Sequence, residues 1–223
     1  MRAIAFDAHA ANYDRQFTNT APGARMRRSV WKRCEARFPQ GASILEMNCG
    51  TGEDARWLAE HGVKVLATDI SPAMLAVAKA KVNSPLVRFR ELAWEDLAAL
   101  AEGPFDGALS NFGGLNCVED LRPVAQALAA KLRPAAIAIL CIMGPVVPSE
   151  WVRFLARGNP SAAFRRLKRG GTQWSGATIR YPSIGQTRRA FSPEFRMLRV
   201  SAIGSILPLP SLADHYLMEL ERL

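Results

Sequence analysis

The chain has 223 residues, 49% hydrophobic and 22% charged, with a formal net charge of +9. That suffices for one α/β domain with its own core, and it excludes a disordered or low-complexity chain. The longest apolar run, 135–147, is broken by Gly144 and Pro145; it falls short of the roughly 18 residues a membrane span needs and reads as a buried strand. The N-terminal stretch has no continuous apolar segment and carries Asp7 and Asp14, so no targeting leader is expected and the expected location is the cytoplasm. Cys34, Cys49, Cys117 and Cys141 are widely spaced with no C-x-x-C pair. Neither a metal site nor a disulfide framework is suggested, and reduced, mostly buried thiols are expected.

The charge is concentrated in one place. Residues 151–200 hold eleven Arg or Lys against one acid, Glu194, a local balance of +10, so the rest of the chain sums to −1. Such a segment suits an anionic substrate, RNA or an anionic membrane surface, or it is simply a solvated basic face.

From Ser43 onward short β-like runs alternate with helical stretches, the pattern of a parallel sheet with crossover helices on both faces. Ser43–Met47 is the first strand, and it breaks at Asn48-Cys-Gly-Thr-Gly into a helix from about Glu53 to His61, ended by the cap glycine Gly62. Val63–Thr68 is the second strand. Ser71-Pro72 then gives an N-cap followed by proline at the first helical position, with the helix running to about Val82. Leu86–Arg90 and Phe105–Ser110 follow as strands, Glu119–Leu132 as a helix and Ala136–Met143 as the fifth strand. The rhythm breaks over 145–175, where an amphipathic helix is expected with Trp151, Val152, Phe154 and Leu155 on one side, followed by the basic run Arg165–Arg169. Phe195–Ile203 alternates as a strand, and the segment from Asp214 is assigned as the last edge strand.

The turn between the first strand and its helix is glycine-rich, so backbone can approach a ligand near free helix N–H groups. Dinucleotide folds use G-x-G-x-x-G with an acid about twenty residues on. Here the spacing is shorter, Glu46 precedes the turn, and Asp69 ends the next strand. A carboxylate at Glu46 repels a pyrophosphate and suits a cation, and Asp69 is placed to accept from both ribose hydroxyls. The pair favours a cationic nucleoside over NAD.

ILEMNCGTGEDA followed by VLATDISPAML resembles the first two motifs of class I S-adenosylmethionine (SAM)-dependent methyltransferases, especially the small bacterial group similar to quinone-biosynthesis methyltransferases. The resemblance extends to Phe6-Asp7-x-x-Ala10-x-x-Tyr13-Asp14 and to Phe105-Asp106-Gly-Ala-Leu-Ser-Asn-Phe-Gly-Gly-Leu-Asn116, about the first two-thirds of the chain. It implies a Rossmann-like seven-stranded, mostly parallel sheet and SAM as cofactor. By that resemblance Glu46, Asn48, Cys49, Gly50 and Gly52 surround the amino-acid end of SAM, Asp69 holds the ribose, Ile70 and Met74 flank the adenine, and Asn111 and Phe112 close the site. Tyr13 is expected over the sulfonium, where an aromatic face contributes about 0.5 to 2 kcal/mol.

Two positions depart from the family pattern. Asn48 stands where the family's first glycine is usual, and asparagine tolerates the left-handed conformation. Ala93 stands where an aspartate normally accepts from the adenine amino group, a loss of about 0.5 to 1.5 kcal/mol. Glu95 or Asp96 is a candidate replacement, and Trp94 offers a backbone N–H.

Methyl transfer from a sulfonium needs alignment and exclusion of water more than it needs catalytic groups. Tyr13 and His9, one helical turn apart, are the catalytic candidates; His61 is expected to face solvent and His215 to open the last strand. The acceptor pocket is expected from Phe112, Leu115, Asn116, Trp151 and Phe154, which favours a small hydrophobic or aromatic methyl acceptor. Arg165, Arg166, Lys168 and Arg169 suit an anionic group on it. Peripheral membrane contact through 151–169 is the other expectation for that segment. The domain plan is one SAM-dependent methyltransferase domain: an N-terminal helical cap (1–42), a cofactor-binding core (43–144), a basic insertion or lid (145–175) and C-terminal strands (176–223). The rival readings are an RNA methyltransferase, disfavoured because aromatics are not interleaved with the arginines, a non-catalytic SAM-binding protein and, weakest, an NAD-dependent oxidoreductase.

Overall fold

The computed structural model describes residues 6–205 and 208–223; residues 1–5 of the expected N-terminal cap lie outside the described residues. Short helical turns, including α1 (Ala10–Tyr13), lead into α2 (Ala21–Arg37), whose Thr20 cap accepts from the Gly23 N–H at 3.1 Å. The βα alternation follows: β1 (Ser43–Met47), α3 (Glu53–Glu60), β2 (Lys64–Asp69), α4 (Pro72–Lys81), β3 (Val87–Glu91), β4 (Phe105–Ser110), α5 (Leu121–Lys131) and β5 (Leu132–Met143). The chain closes with α6 (Pro148–Leu155), α7 (Pro160–Ala163), a hairpin of β6 (Thr172–Trp174) and β7 (Ala177–Ile179), α8 (Ile184–Phe191), β8 (Phe195–Ile203) and β9 (His215–Arg222).

Seven strands form one sheet in the order β3-β2-β1-β4-β5-β9-β8; the first five are parallel, and β9 runs antiparallel between β5 and β8. Alternate strand residues feed two cores. Ile44, Val65, Leu109 and Ile139 face Val30 and Cys34 of α2 and Leu58 of α3, whereas Leu45, Leu66, Ala108 and Leu140 face Val124 and Leu128 of α5 and Phe191 of α8. Burial on both faces is why the interior parallel strands are near-continuous apolar runs, whereas the edge strand β3, Val87-Arg-Phe-Arg-Glu, alternates with exposed charges.

Local signals act as their chemistry dictates. Ser71 Oγ accepts the Met74 N–H at 3.0 Å with Pro72 behind it, and Gly62 is left-handed at φ +76°. Four expectations need correcting. The segment from Asp214 is not the sheet edge: β9 is interior, its residues 215–220 are all buried, and β8 takes the edge. Residues 176–223 are not strands alone, since α8 lies among them, started by a capping box in which Ser183 and Gln186 satisfy each other's backbone N–H groups. The four residues of α6 expected on one side of an amphipathic helix are divided: Trp151 and Phe154 are half-buried, while Val152 and Leu155 are exposed at 70% and 47%. The break at 145–175 continues to Ile179, because the left-handed pair Ser175-Gly176 (φ +49° and +88°) folds β6 back onto β7; that conformation matches the twist of a two-residue hairpin turn.

Candidate cofactor and acceptor site

The turn after β1 holds Asn48, Gly50 and Gly52 at φ +53°, +54° and +75°. Asn48 adopts the left-handed conformation and is locked there: its Oδ1 accepts from Ser110 Oγ at 2.6 Å and its Nδ2 donates to the Asn111 carbonyl at 2.7 Å. Gly114 is the complement, for a Cβ there would lie 2.2 Å from Asn48 Cγ. A Cβ on Gly50 would meet nothing within 4 Å, so this backbone is open to the cavity it lines. Asp69, at the end of β2, accepts from the Gly50 N–H at 2.8 Å and from the Ser71 N–H at 2.9 Å. Each carboxylate oxygen retains acceptor capacity for a ligand hydroxyl.

These groups border a cavity of about 300 Å³ at the C-terminal ends of β1, β2 and β4, where open α/β sheets take their ligands. Tyr13, Asn48, Gly50, Asp69, Ile70, Met74, Ala93, Trp94, Glu95 and Phe112 are all in its wall. Phe6, Met47, Thr68, Leu92, Leu97, Gly114 and Cys117 complete it and were absent from the sequence-derived set. Of these, Met47 and Thr68 were findable, since each directly adjoins an expected contact at a strand end.

Other expected site residues lie elsewhere. The Cys49 side chain packs in the α2–α3 core, and Gly52 exists for packing, since a Cβ there would meet Ala78 Cβ at 2.9 Å. Glu46 and Asn111 are buried behind the wall. His9 is also outside the wall; its ring stacks on Trp174 at 4.6 Å and its Nε2 lies 3.1 Å from Ser175 Oγ. Leu115 belongs to the core on the α5 face. Asn116 is a brace: its Nδ2 donates to the Met143 and Arg180 carbonyls at 3.1 and 2.5 Å, and its Oδ1 accepts the Met143 N–H at 2.9 Å. Trp151 packs on Phe164 and Phe154 lies under Arg153 and Arg165, neither of them at the cavity. The shared reason is that helical and strand spacing shows which residues are apolar, not which of two apolar environments they enter.

Behind the wall is a buried polar floor that long-range contacts build. Asp54 pairs with Arg27 and accepts from Trp31 Nε1 at 2.6 Å and Asn111 Nδ2 at 3.0 Å, while the Arg27 guanidinium lies 4.9 Å from the Phe112 ring centre. Asp14 clamps the glycine turn, accepting from Thr51 Oγ1 at 2.6 Å and Lys81 Nζ at 2.7 Å. Asp14 was visible within the quoted N-terminal motif, but nothing local to it announces Lys81.

Burial pushes the Tyr13 phenol up to about 12. Burial, then the nearby Asp54, pushes Glu46 well above the usual carboxylate range, and burial raises Asp69 against the backbone N–H groups of Ser71, Gly50 and Ile70. Glu46 Oε2 is buried with no hydrogen-bond partner among the described residues. An orphaned acid behind the turn, with a second acid on the wall, is an acceptor set that favours positive charge in front of it, and it fits a cationic nucleoside better than a pyrophosphate.

Residues 44–135 match the family model described as a methyltransferase domain. A ubiquinone biosynthesis O-methyltransferase of Xanthomonas axonopodis pv. citri (strain 306) is 30% identical over 132 residues, covering 54% of this chain and 55% of that protein. A tRNA 5-carboxymethoxyuridine methyltransferase of Escherichia coli (strain K12) is 31% identical over 140 residues, covering 59% and 53%. The chain thus spans about half the length of these curated relatives. Among solved structures, a magnesium protoporphyrin IX methyltransferase from Synechocystis PCC 6803 with bound SAH superposes with a TM-score of 0.69 at 17% identity, over 99% of this chain and 97% of that one, a likeness of fold. Among the described residues no helix is long and apolar enough to cross a membrane.

Proposed function

We propose that this chain, which carries a class I SAM-dependent methyltransferase domain, transfers the methyl group of SAM to a small, largely hydrophobic or aromatic acceptor. The observation that carries the reading is the cavity itself: a glycine turn with a partnerless buried acid, Glu46, behind it and Asp69 on its wall. When bound there, SAM supplies an electrophilic methyl carbon on a sulfonium.

In this reading Asp69 takes the ribose hydroxyls, Gly50 gives the close backbone approach, and Glu46, behind the turn, is an acid whose ionisation the cofactor's positive charge favours. Ile70, Met74, Ala93 and Trp94 hold the adenine between apolar surfaces. With its hydroxyl pushed up to about 12, Tyr13 is a neutral phenol at physiological pH; its work is to shield the reacting centre and present an aromatic face to a cation, not to remove a proton. Phe17, whose ring lies 5.8 Å from Tyr13 and 5.0 Å from Phe112, backs both. His9, held on Trp174, is assigned no proton-transfer role. Displacement at the methyl carbon then depends on alignment and dryness.

A thermal-shift comparison tests the cofactor. S-adenosylhomocysteine at a hundred times its dissociation constant adds about 2.7 kcal/mol of stability, and NADH adds none; the reverse result sinks the reading. Isotopic methyl transfer from SAM to a metabolite extract then separates an enzyme from a SAM-binding protein. A tRNA acceptor is the second reading, favoured by the Escherichia coli relative. It requires tRNA binding that falls steeply with salt and a nuclease-sensitive product.

A further inference from the structure

The cavity is not isolated. A hollow of about 1020 Å³ shares Phe6, Ile70, Trp94, Glu95 and Cys117 with its wall and passes along α5. A second hollow, of about 660 Å³, shares Val118, Glu119, Asp120 and Arg180 with the first and is bounded by residues 166–171 and by α8. The three adjoin through these shared wall residues and together form a trough-like series from the glycine turn to the basic segment.

The far hollow carries six cations, which divide sharply by partner. Arg166 is committed to Glu150, to Asp214 at 2.5 Å and to the carbonyls of Gly144 and Asp214. Arg122 is paired with Asp120, and Arg180 lies 3.6 Å from the exposed Glu119. Lys168, Arg169 and Arg189 have no acidic partner among the described residues. The loop bearing the first two is fixed in place: Gly171, at φ +84°, lies so close to β7 that a Cβ would come 2.3 Å from the Ile179 carbonyl oxygen. Like charges held in one concave site, with committed arginines behind them, are a surface whose repulsion a multivalent anion relieves.

We propose that this end of the trough binds a phosphate or carboxylate group of the methyl acceptor through Lys168, Arg169 and Arg189, so that the substrate is an anionic small molecule with its reacting atom at the other end. The inference rests on the methyl-transfer reading for what lies at that other end. It also corrects the expectation for Arg165 and Arg166, which are spent on Glu150 and, for Arg166, Asp214.

The test uses the full chain saturated with S-adenosylhomocysteine, titrated calorimetrically with pyrophosphate and with citrate at about 50 mM salt, where electrostatic binding is strong. The variant K168Q/R169Q/R189Q should bind both anions about tenfold more weakly, with affinity for S-adenosylhomocysteine unchanged within about twofold. A second variant, R153Q/R157Q/R188Q, removes the same charge outside the hollow and should keep anion binding. Failure of either anion to bind the wild type, or equal losses in the two variants, overturns the proposal while leaving cofactor binding untouched. Loss of S-adenosylhomocysteine binding by the wild type strikes the methyl-transfer reading instead. Labelled product retained on an anion-exchange resin and resistant to nuclease supports the proposal; a neutral or nuclease-sensitive product overturns it.

Discussion

Between β1 and α4, much of the cavity is shaped within one strand–turn–helix–strand unit: Asp69 holds Gly50 and Ser71, Ser71 caps Met74, and the turn carries its own left-handed residues, with Asn48 reaching out to Ser110 and Asn111. In the C-terminal third the partners are remote. Arg166 reaches Asp214, the Arg180 carbonyl is held by Asn116, and the Tyr216 hydroxyl meets Thr187 at 2.7 Å. Short separations leave patterns a reader of the chain can recognise, whereas remote pairings need the fold first. The glycine-turn end is thus built largely on one strand–turn–helix, and the basic end is a surface put together from parts with no motif of their own.

The largest expected effect tests the remote half. Arg166→Met removes the most buried cation that Glu150 and Asp214 share, leaving Arg165 and the His215 ring as their remaining partners; breaking a buried pair costs about 3 to 5 kcal/mol, and chemical denaturation should show a loss approaching that range, with affinity for S-adenosylhomocysteine spared in the folded fraction. Asp69→Ala does the opposite. It should weaken S-adenosylhomocysteine binding about a hundredfold by calorimetry, since it removes the ribose acceptor and leaves two backbone N–H groups unsatisfied, a loss of about 3 kcal/mol. If the variant binds normally, the local half is not the cofactor end.

A smaller effect is expected at Gly114→Ala, which drives a methyl into Asn48 and should cost about 1 to 3 kcal/mol as overpacking. Adding Asn48→Gly should recover part of that loss, and a double-mutant cycle reads the coupling. Simple additivity would mean that the two do not form one device.

The smallest test is pH. Against the effect of burial, the His215 ring and Arg166 hold Asp214 well below the usual carboxylate range, and Arg33 and Arg37 lower Glu219. Their stabilisation is complete above the unfolded carboxylate range, near pH 4, and is lost as pH falls through their folded values. Glu46 and Asp69 are raised, so the folded chain binds more protons than the unfolded one above that range, and stability declines as pH rises through their folded values. The two halves therefore pull oppositely. Glu46→Gln should flatten the decline in melting temperature above pH 5 by removing one of its contributors. Asp214→Asn should lower stability at neutral pH and soften the acid limb. A melting profile unchanged by Glu46→Gln would show that this carboxyl is not the strained group the geometry makes it.

How far the chain could be read follows the same division. The parallel strands, the Ser71-Pro72 cap and the left-handed Asn48 turn were legible from local signals, and the ten residues found in the cavity wall were named through the resemblance of the quoted motifs. Helix α8 was missed although its Ser183 and Gln186 capping box is a local signal; the surrounding basic residues obscured the short apolar stripe it starts. The Arg27–Asp54 floor, the Asp14–Lys81 clamp and the Asn116 brace were not legible, since no spacing within the chain says which buried charges meet. Trp151 and Phe154 were assigned to the acceptor pocket on apolar character alone, and they pack with Phe164 and the arginines of their own segment instead.

β9 also sets an order in time. Because it lies between β5 and β8, β8 has no sheet neighbour until residues 215–222 have been made and threaded into place. During synthesis the parallel half can assemble first, with β5 presenting a bare edge of unpaired backbone groups and the basic cleft still unclosed. That edge is the nascent chain's exposure to strand-to-strand association with its own copies, and insertion of a single late strand ends it.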